Sequence, residues 1–468
     1  MRSSKPMGKL CLSLLSIGVL TLAAIGCGTT SMSGSGSGSA VTGEAFVIGT
    51  DAPAASVVSF SVQITSIEAI DSSGNQTELL SGSPTVDFAR FNGLQTLLDM
   101  NDVPAGTYTS IAVTFGPATI GYLQTQSGAP PTIQTETAAL TTSTVQTTLA
   151  KPLVVSQTEP VGIRLDFDLY KSIQVDSNGQ ITGQVTPTLD VKAVLPSDSG
   201  GYIDEFVGAV VSVDQTGESF VIQGPHGHQF TVDVNGQTEW DSSEGLGNLS
   251  TSSIVQISGT IDRADSTIDA DEVSILSQEG FYAAGQVTYV QPSSGTASDF
   301  DLYVRGLLPT TTGLTLGQIA QVNLTSNEKF FIYWMHNPLT EYLFNSGTLV
   351  PGQHVAIGGP ASGVTNANAV TCHRITLRHW GYNGTIVPDS VNMDGSFQTN
   401  VTGFAGLLVP GPVTVYVGGP TQYRDGLGGI GDLSGMSSST HIRVVGLLLK
   451  DQTSGQLVLL AHYVDELQ

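Results

Sequence analysis

The sequence predicts an all-β protein: an N-terminal β-sandwich followed by three small β-barrel repeats. Three observations carry this. Nearly everything after Ala40 runs in short stretches rich in Val, Ile, Thr, Phe and Tyr, punctuated by Gly, Asn, Asp, Ser and Pro, the pattern of strands and turns. Helical periodicity is scarce; Gly93 to Met100, with Leu94, Leu97 and Leu98, is the one stretch that suits a short helix. And from Tyr202 onward the chain repeats an ordered set of elements, the signature of a tandem architecture.

Residues 1–26 read as a targeting segment. Arg2, Lys5 and Lys9 give a positive start, and an apolar stretch follows from Leu10 to Ile25, shorter than the ~20 residues of a membrane-spanning helix. It ends in Ala24-Ile25-Gly26-Cys27. Small residues followed by cysteine resemble the lipobox of bacterial lipoproteins, which implies cleavage before Cys27 and a diacylglycerol on its thiol. In that class the residue after the cysteine influences sorting. Gly28 is not the aspartate that holds lipoproteins at the inner membrane, so the expected location is the outer membrane of the cell envelope, facing the periplasm or the surface. Residues 27–42 form a Gly/Ser tether, with no side chains to pack.

Residues 43–198 read as the sandwich. Val57 to Ile64 alternates as a half-buried strand, and Pro104-Ala105-Gly106 turns the chain into another with Tyr108 near its start, placed to plug one end of the core. In Leu165-Asp166-Phe167-Asp168-Leu169 the apolar residues share one face and the aspartates the other. In order along the chain, Thr50-Asp51-Ala52-Pro53, the Val57 to Ile67 strand, Val103 to Thr109, Leu165 to Asp168, Lys171-Ser172-Ile173 and Pro187-Thr188-Leu189 resemble the bacterial lipoprotein domain known as domain-of-unknown-function family 4382. The resemblance covers about a third of the chain and implies architecture and location, not an activity.

Three units follow, at 203–278, 279–378 and 379–468. Each starts a strand at a glycine (Gly208, Gly285, Gly384) and later ends one at a glycine (Gly259, Gly358, Gly446). Each closes on an Ala-x-x-Val strand at Ala270, Ala367 or Ala461. Short strands with repeated glycine bends suit small closed barrels, since closure removes exposed edges. The units resemble domain-of-unknown-function family 5666, which implies OB-like barrels. The second departs by an aromatic insertion around Phe330 to Phe344.

Composition excludes several functions. With 16 Lys and Arg against 40 Asp and Glu, the formal net charge is −24, and charged residues are only 12% of the chain, half the usual ~25%. The acidity is a shortage of cations, which excludes nucleic acid as a partner because phosphate contacts need Lys and Arg. Of the three cysteines, Cys11 leaves with the targeting segment and Cys27 is lipidated, so Cys372 has no disulfide partner and reads as a buried structural thiol.

No catalytic pattern is present: no Walker loop, H-E-x-x-H, C-x-x-C or G-x-S-x-G. Asp166 and Asp168, helped by Asp51, are the candidate Ca²⁺ ligands, against a solvated strand face as the plain alternative. His226-Gly227-His228, and His373 with His379, lack the further ligands zinc needs. Tyr333 and Trp334, in the most aromatic segment, are candidates for stacking on a sugar; their alternation also fits a doubly buried strand. No cofactor is expected beyond the Ca²⁺ alternative. The expected function is therefore non-enzymatic: a lipid-anchored envelope protein that binds or scaffolds, with an envelope polysaccharide or protein as partner. A Ca²⁺-dependent adhesion or assembly module is the alternative, and an enzyme whose site assembles only in three dimensions is the third reading.

Overall fold

In a computed structural model, residues 41–467 are described apart from 53–56, 127–128, 177–180, 199–200, 225–226, 241–243, 263–266, 279, 310–311, 334–341, 394, 410, 425–426 and 437–439. The targeting segment, Cys27 and the tether up to residue 40 lie outside the described residues, as do His226 and Trp334, while Thr42 at the tether's end already begins a strand.

The fold is all-β, as the strand-and-turn pattern predicts. The sandwich comes first. A four-stranded sheet runs in the order Leu189–Val194, Val161–Asp168, Thr42–Ala52, Thr96–Pro104. It faces an eight-stranded sheet built on the long strands Val57–Asp71 and Gly106–Gln126. Alternation does the work: Phe60, Val62 and Ile64 are buried while Ser61, Gln63 and Thr65 are not. A bulge between Ile64 and Ser66 then resets the phase, so that Ile67 and Ala69 also point inward. Phe167 sits at the centre, its ring 4.9 Å from Phe60, 5.1 Å from Phe88 and 5.6 Å from Phe115. Tyr108 is buried and its hydroxyl donates to the Pro104 carbonyl at 2.7 Å, pinning the corner of the sandwich.

One expectation fails here. The segment expected as a helix from Gly93 to Met100 is strand from Thr96 onward, preceded by a 3-10 turn at Phe88–Phe91. Leu94 packs with Val445 and Tyr463, Leu97 joins the core of the first barrel, and Leu98 packs on the sandwich. Three leucines meeting three separate cores reproduce a helical spacing without a helix.

The three later units share one topology. In the first, Ile203–Asp214, Ser219–Gln223, Gln229–Asp233, Ile254–Ile261 and Ile268–Ser277 serve as strands one to five. Strand one pairs with two and four, two with three, four with five, and three runs parallel to five, closing the ring. The third unit repeats this with Trp380–Ile386, Ser396–Val401, Pro412–Arg424, His441–Lys450 and Leu457–Glu466. In the second, Phe281–Gln291, Asp299–Leu308, Ile319–Asn323 and His354–Gly359 are strands one to four. Its fifth strand is split into Ala369–Thr371, beside strand three, and Arg374–Arg378, beside strand four. This order, 1-2-3-5-4 with three and five parallel, is that of an OB-type barrel. The glycines of strand four have a physical cause: a Cβ on Gly259 would lie 2.0 Å from the Asp269 carbonyl oxygen, and one on Gly446 2.0 Å from that of Leu460, each beside a bulge.

Val41 to Gln468 pack as one compact unit. Leu447, Leu449, Val458 and Leu460 of the third barrel lie in the same core as Val287, Leu302 and Val355 of the second. Arg374 of the second barrel forks onto the Glu244 carboxylate of the first at 3.0 and 3.2 Å. Asn92 of the sandwich donates to the Gly381 carbonyl of the third barrel at 2.8 Å. Backbone N–H groups of Asp204 and Glu205, in the first barrel, both donate to the Gln95 carbonyl of the sandwich.

Candidate functional site

Among the described residues the expected metal and stacking residues do not assemble into a site; Trp334 and the Asp51 side chain lie outside them. Asp168 caps the short helix Leu169–Ser172, accepting from the Lys171 N–H at 2.9 Å, and pairs with the Lys171 ammonium at 2.8 Å. Asp166 faces Asp190 across the strand pair, and burial raises its carboxyl above the usual range, with Arg164 and Arg443 opposing. Asp51 lies in register with Phe167; its side chain is outside the described residues. Among the described residues no group of three or more His, Cys, Asp or Glu side chains could hold a metal ion. Tyr333 is a correction as well. It is buried, its hydroxyl bonds Ser258 at 2.6 Å, His379 meets its ring edge-on and the Arg378 guanidinium lies 4.7 Å over its face. A ring covered in this way offers no platform to a sugar. Cys372 is buried, and burial pushes its thiol up, far from a nucleophile's range.

The structure instead assembles charge and space where the sandwich meets the first two barrels. Glu205 on the first barrel is almost wholly buried, with Oε1 3.7 Å from both Arg90 of the sandwich and Arg378 of the second barrel. Burial works to raise its carboxyl, but these guanidiniums outweigh it and hold it below the usual range. Nearby, Arg305 of the second barrel has a fully buried guanidinium that stacks 4.4 Å over Trp380 and lies 3.5 Å from Asp87. None of its side-chain nitrogens has a hydrogen-bond partner among the described residues. Burial drives His354 down to about 4 and His379 well below its ordinary value, so both imidazoles here are neutral.

Beside this cluster opens a cavity of about 300 Å³, at the lower end of ligand pockets, which run roughly 300–1,000 Å³. Phe91 and Leu97 of the sandwich, Phe206 and Phe230 of the first barrel, and Leu307 and Leu308 of the second supply apolar walls. Asp87, Arg90, Arg305, Tyr282 and His228 supply the polar ones. Half-exposed Leu316 and partly exposed His228 mark its solvent side. Arg90 makes no hydrogen bond among the described residues, its closest carboxylate being Glu205 at 3.7 Å. Tyr282 is buried with its hydroxyl unpartnered among the described residues, and burial pushes the phenol up to about 12, so it remains a donor. Buried donors without a partner are uncommon in folded proteins, and a water, an ion or a ligand group can satisfy them.

His228 also belongs to a triangle with Ser81 and Asp99. Ser81 Oγ lies 2.7 Å from His228 Nε2, and His228 Nδ1 lies 3.4 Å from Asp99 Oδ1. The residue types are those of a nucleophilic triad but the wiring is not. Ser81 donates both its hydroxyl and its N–H directly to Asp99 Oδ2, at 2.7 and 2.6 Å, so the histidine does not stand between base and nucleophile. The triangle ties the first barrel to the sandwich.

Sequence reasoning passed over Arg90, Arg305, Tyr282 and Glu205. A signal existed. The chain has nine arginines, and two of them interrupt apolar strands, in Val304-Arg305-Gly306-Leu307 and Ile375-Thr376-Leu377-Arg378. A cation inside a core pattern in a cation-poor chain points to a buried partner.

Comparison with known proteins bears on the sandwich alone. Residues 42–182 match a domain of unknown function (DUF4382), a span that includes Asp87 and Arg90 but stops short of Pro187-Thr188-Leu189 and all three barrels. No curated protein matches the chain. Over 42–182 the chain is thus similar to DUF4382, whose description assigns no activity.

Proposed function

We propose that the chain is a non-enzymatic, lipid-anchored binding protein of the bacterial envelope, and that its ligand occupies the cavity between the sandwich and the first two barrels. The carrying observation is that cavity, lined by apolar walls and by donors with no partner among the described residues. A pocket of this size takes a small molecule rather than the polysaccharide chain expected from the aromatic segment, and buried Tyr333 adds no stacking surface. The shared strand order supports reading the three later units as family-5666-like modules that wall and support the site rather than as separate binding heads. The Ser81–His228–Asp99 wiring favours binding over hydrolysis.

A thermal-shift screen of small molecules on the chain from Gly28 onward tests the site. The stabilisers should compete with one another and lose their effect in Leu316→Trp, which plugs the rim. Stabilisation that persists unchanged in that variant would place the ligand elsewhere. The anchor is tested separately: Cys27→Ser should move the protein from the membrane fraction to the soluble fraction. A Cys27→Ser protein that stays with membranes refutes lipidation at that residue.

A further inference from the structure

The cavity's polar end has a geometry that names a ligand class, given the reading that the cavity is the binding site. Gly306, on the second strand of the second barrel, lines the cavity. A carbon at its Cβ position would lie 3.2 Å from Tyr282 Oη and 3.4 Å from Arg90 Nη1. The Tyr282 hydroxyl, unpartnered among the described residues, and Arg90 Nη1, whose guanidinium meets Glu205 only at 3.7 Å through Nη2, thus converge on one point, and the absence of a side chain on Gly306 keeps that point open. Both are donors: guanidinium has no acceptor, and the phenol keeps its proton. The charges on the cavity wall are Arg90 and Arg305 against Asp87, an excess of one cation before His228 is counted. In a chain of net charge −24 this is a local inversion of sign. The remaining wall is aromatic and aliphatic.

We propose that the cavity binds a small amphipathic monocarboxylate, its carboxylate held by Arg90 Nη1 and Tyr282 Oη over Gly306 and its apolar body among Phe206, Phe230, Leu307 and Leu308. One excess positive charge matches one carboxylate; a phosphate dianion would overcompensate it beside Asp87 and Glu205. Glu205 is a positioning residue: it holds Arg90 by charge at 3.7 Å, outside hydrogen-bond distance, which leaves the guanidinium's donors free for a ligand.

The test is calorimetric titration of the chain from Gly28 onward with four probes: decanoate, decanol, acetate and decyl phosphate. Decanoate should bind, with decanol at least about tenfold weaker for want of one charge-assisted hydrogen bond and acetate at least about tenfold weaker for want of the apolar tail. Tyr282→Phe keeps the ring packing and should weaken decanoate about tenfold while leaving decanol unchanged. Gly306→Ala, which puts a methyl group between the donors, should do the same. Circular dichroism and melting of both variants check that the fold is kept.

Equal binding of decanol and decanoate, with both lost in Leu316→Trp, would keep the cavity as the site and overturn the carboxylate. Tighter binding of decyl phosphate than decanoate would overturn it in favour of a phosphate. If none of the four binds while screened stabilisers still lose their effect in Leu316→Trp, the ligand class fails and the site stands. If nothing binds at all, both fail.

Discussion

Glu205 carries its negative charge where almost no water reaches it, and two guanidiniums from two other units keep it ionised. Removing the charge would leave Arg90 and Arg378 facing each other in a low dielectric. Glu205→Gln is therefore expected to cost about 3–5 kcal/mol in chemical denaturation, as breaking a buried pair from one side does. The exposed pair Lys192–Asp190, 2.6 Å apart, is the contrast: Lys192→Ala should change stability by less than about 1 kcal/mol. The neighbouring carboxyl behaves oppositely. Burial pushes Asp204 from 3.8 up to about 7, with Arg424 and the Gln95 N–H only partly offsetting it. The folded chain then keeps a proton that the unfolded chain has released, so this contribution to stability is present below the unfolded value and lost as pH rises through the folded one. As pH rises from about 4 to about 7, Asp204→Asn should gain in melting temperature relative to the wild type. A pH-independent difference would show that Asp204 ionises normally in the fold.

Among the elements, the fourth strand of each barrel shows what a sequence can and cannot disclose. Its closing glycine is visible as a repeat; in the first and third barrels its cause is the carbonyl of the fifth strand, 2.0 Å from where a Cβ of Gly446 would stand, and in the second a Cβ on Gly358 would lie 2.3 Å from the Leu276 carbonyl of the first barrel. Gly446→Ala must push backbone against backbone and should cost about 1–3 kcal/mol. Gly236→Ala, on an exposed turn with nothing within 4 Å, should stay within about 0.5 kcal/mol. Strands, turns and their repetition were legible because alternation and glycine are local signals. The split fifth strand of the second barrel was not, since its two halves are defined by which partners they meet, Ile319–Asn323 and His354–Gly359. The same holds for Leu94, Leu97 and Leu98, whose spacing imitates a helix because they serve three cores. The cavity was illegible for the strongest form of this reason. Arg90, Tyr282 and Gly306 are far apart in the chain, and only the docking of the sandwich on the second barrel brings them together.

At the scale of the whole molecule, the question is whether a sandwich and three barrels are beads on a string or one body. Beads would unfold independently and survive excision. Here the second barrel's core continues into the third through Leu447, Leu449, Val458 and Leu460. Polar groups cross the same seam: buried Gln353 donates to the Leu448 carbonyl at 3.1 Å, and Tyr382 donates to the Gly352 carbonyl at 3.0 Å. Ending the chain at Arg378 would expose that apolar face, strip Trp380 from Arg305 and leave Gln353 with only one of its two acceptors, the Thr348 carbonyl. Those losses combine an exposed hydrophobic patch with uncompensated buried polar groups, each of which costs a few kcal/mol. The residues 28–378 should accordingly aggregate on size-exclusion chromatography, bind a hydrophobic dye and be cut rapidly by protease. The chain from Gly28 onward should run as a single species and unfold in one transition. A monodisperse, protease-resistant 28–378 fragment would mean that the third barrel is a separable attachment. The cavity, built from the sandwich and the first two barrels alone, would then be expected to keep its ligand without it. Loss of the fold on truncation instead makes the third barrel part of what holds Arg305, and with it the cavity, in place.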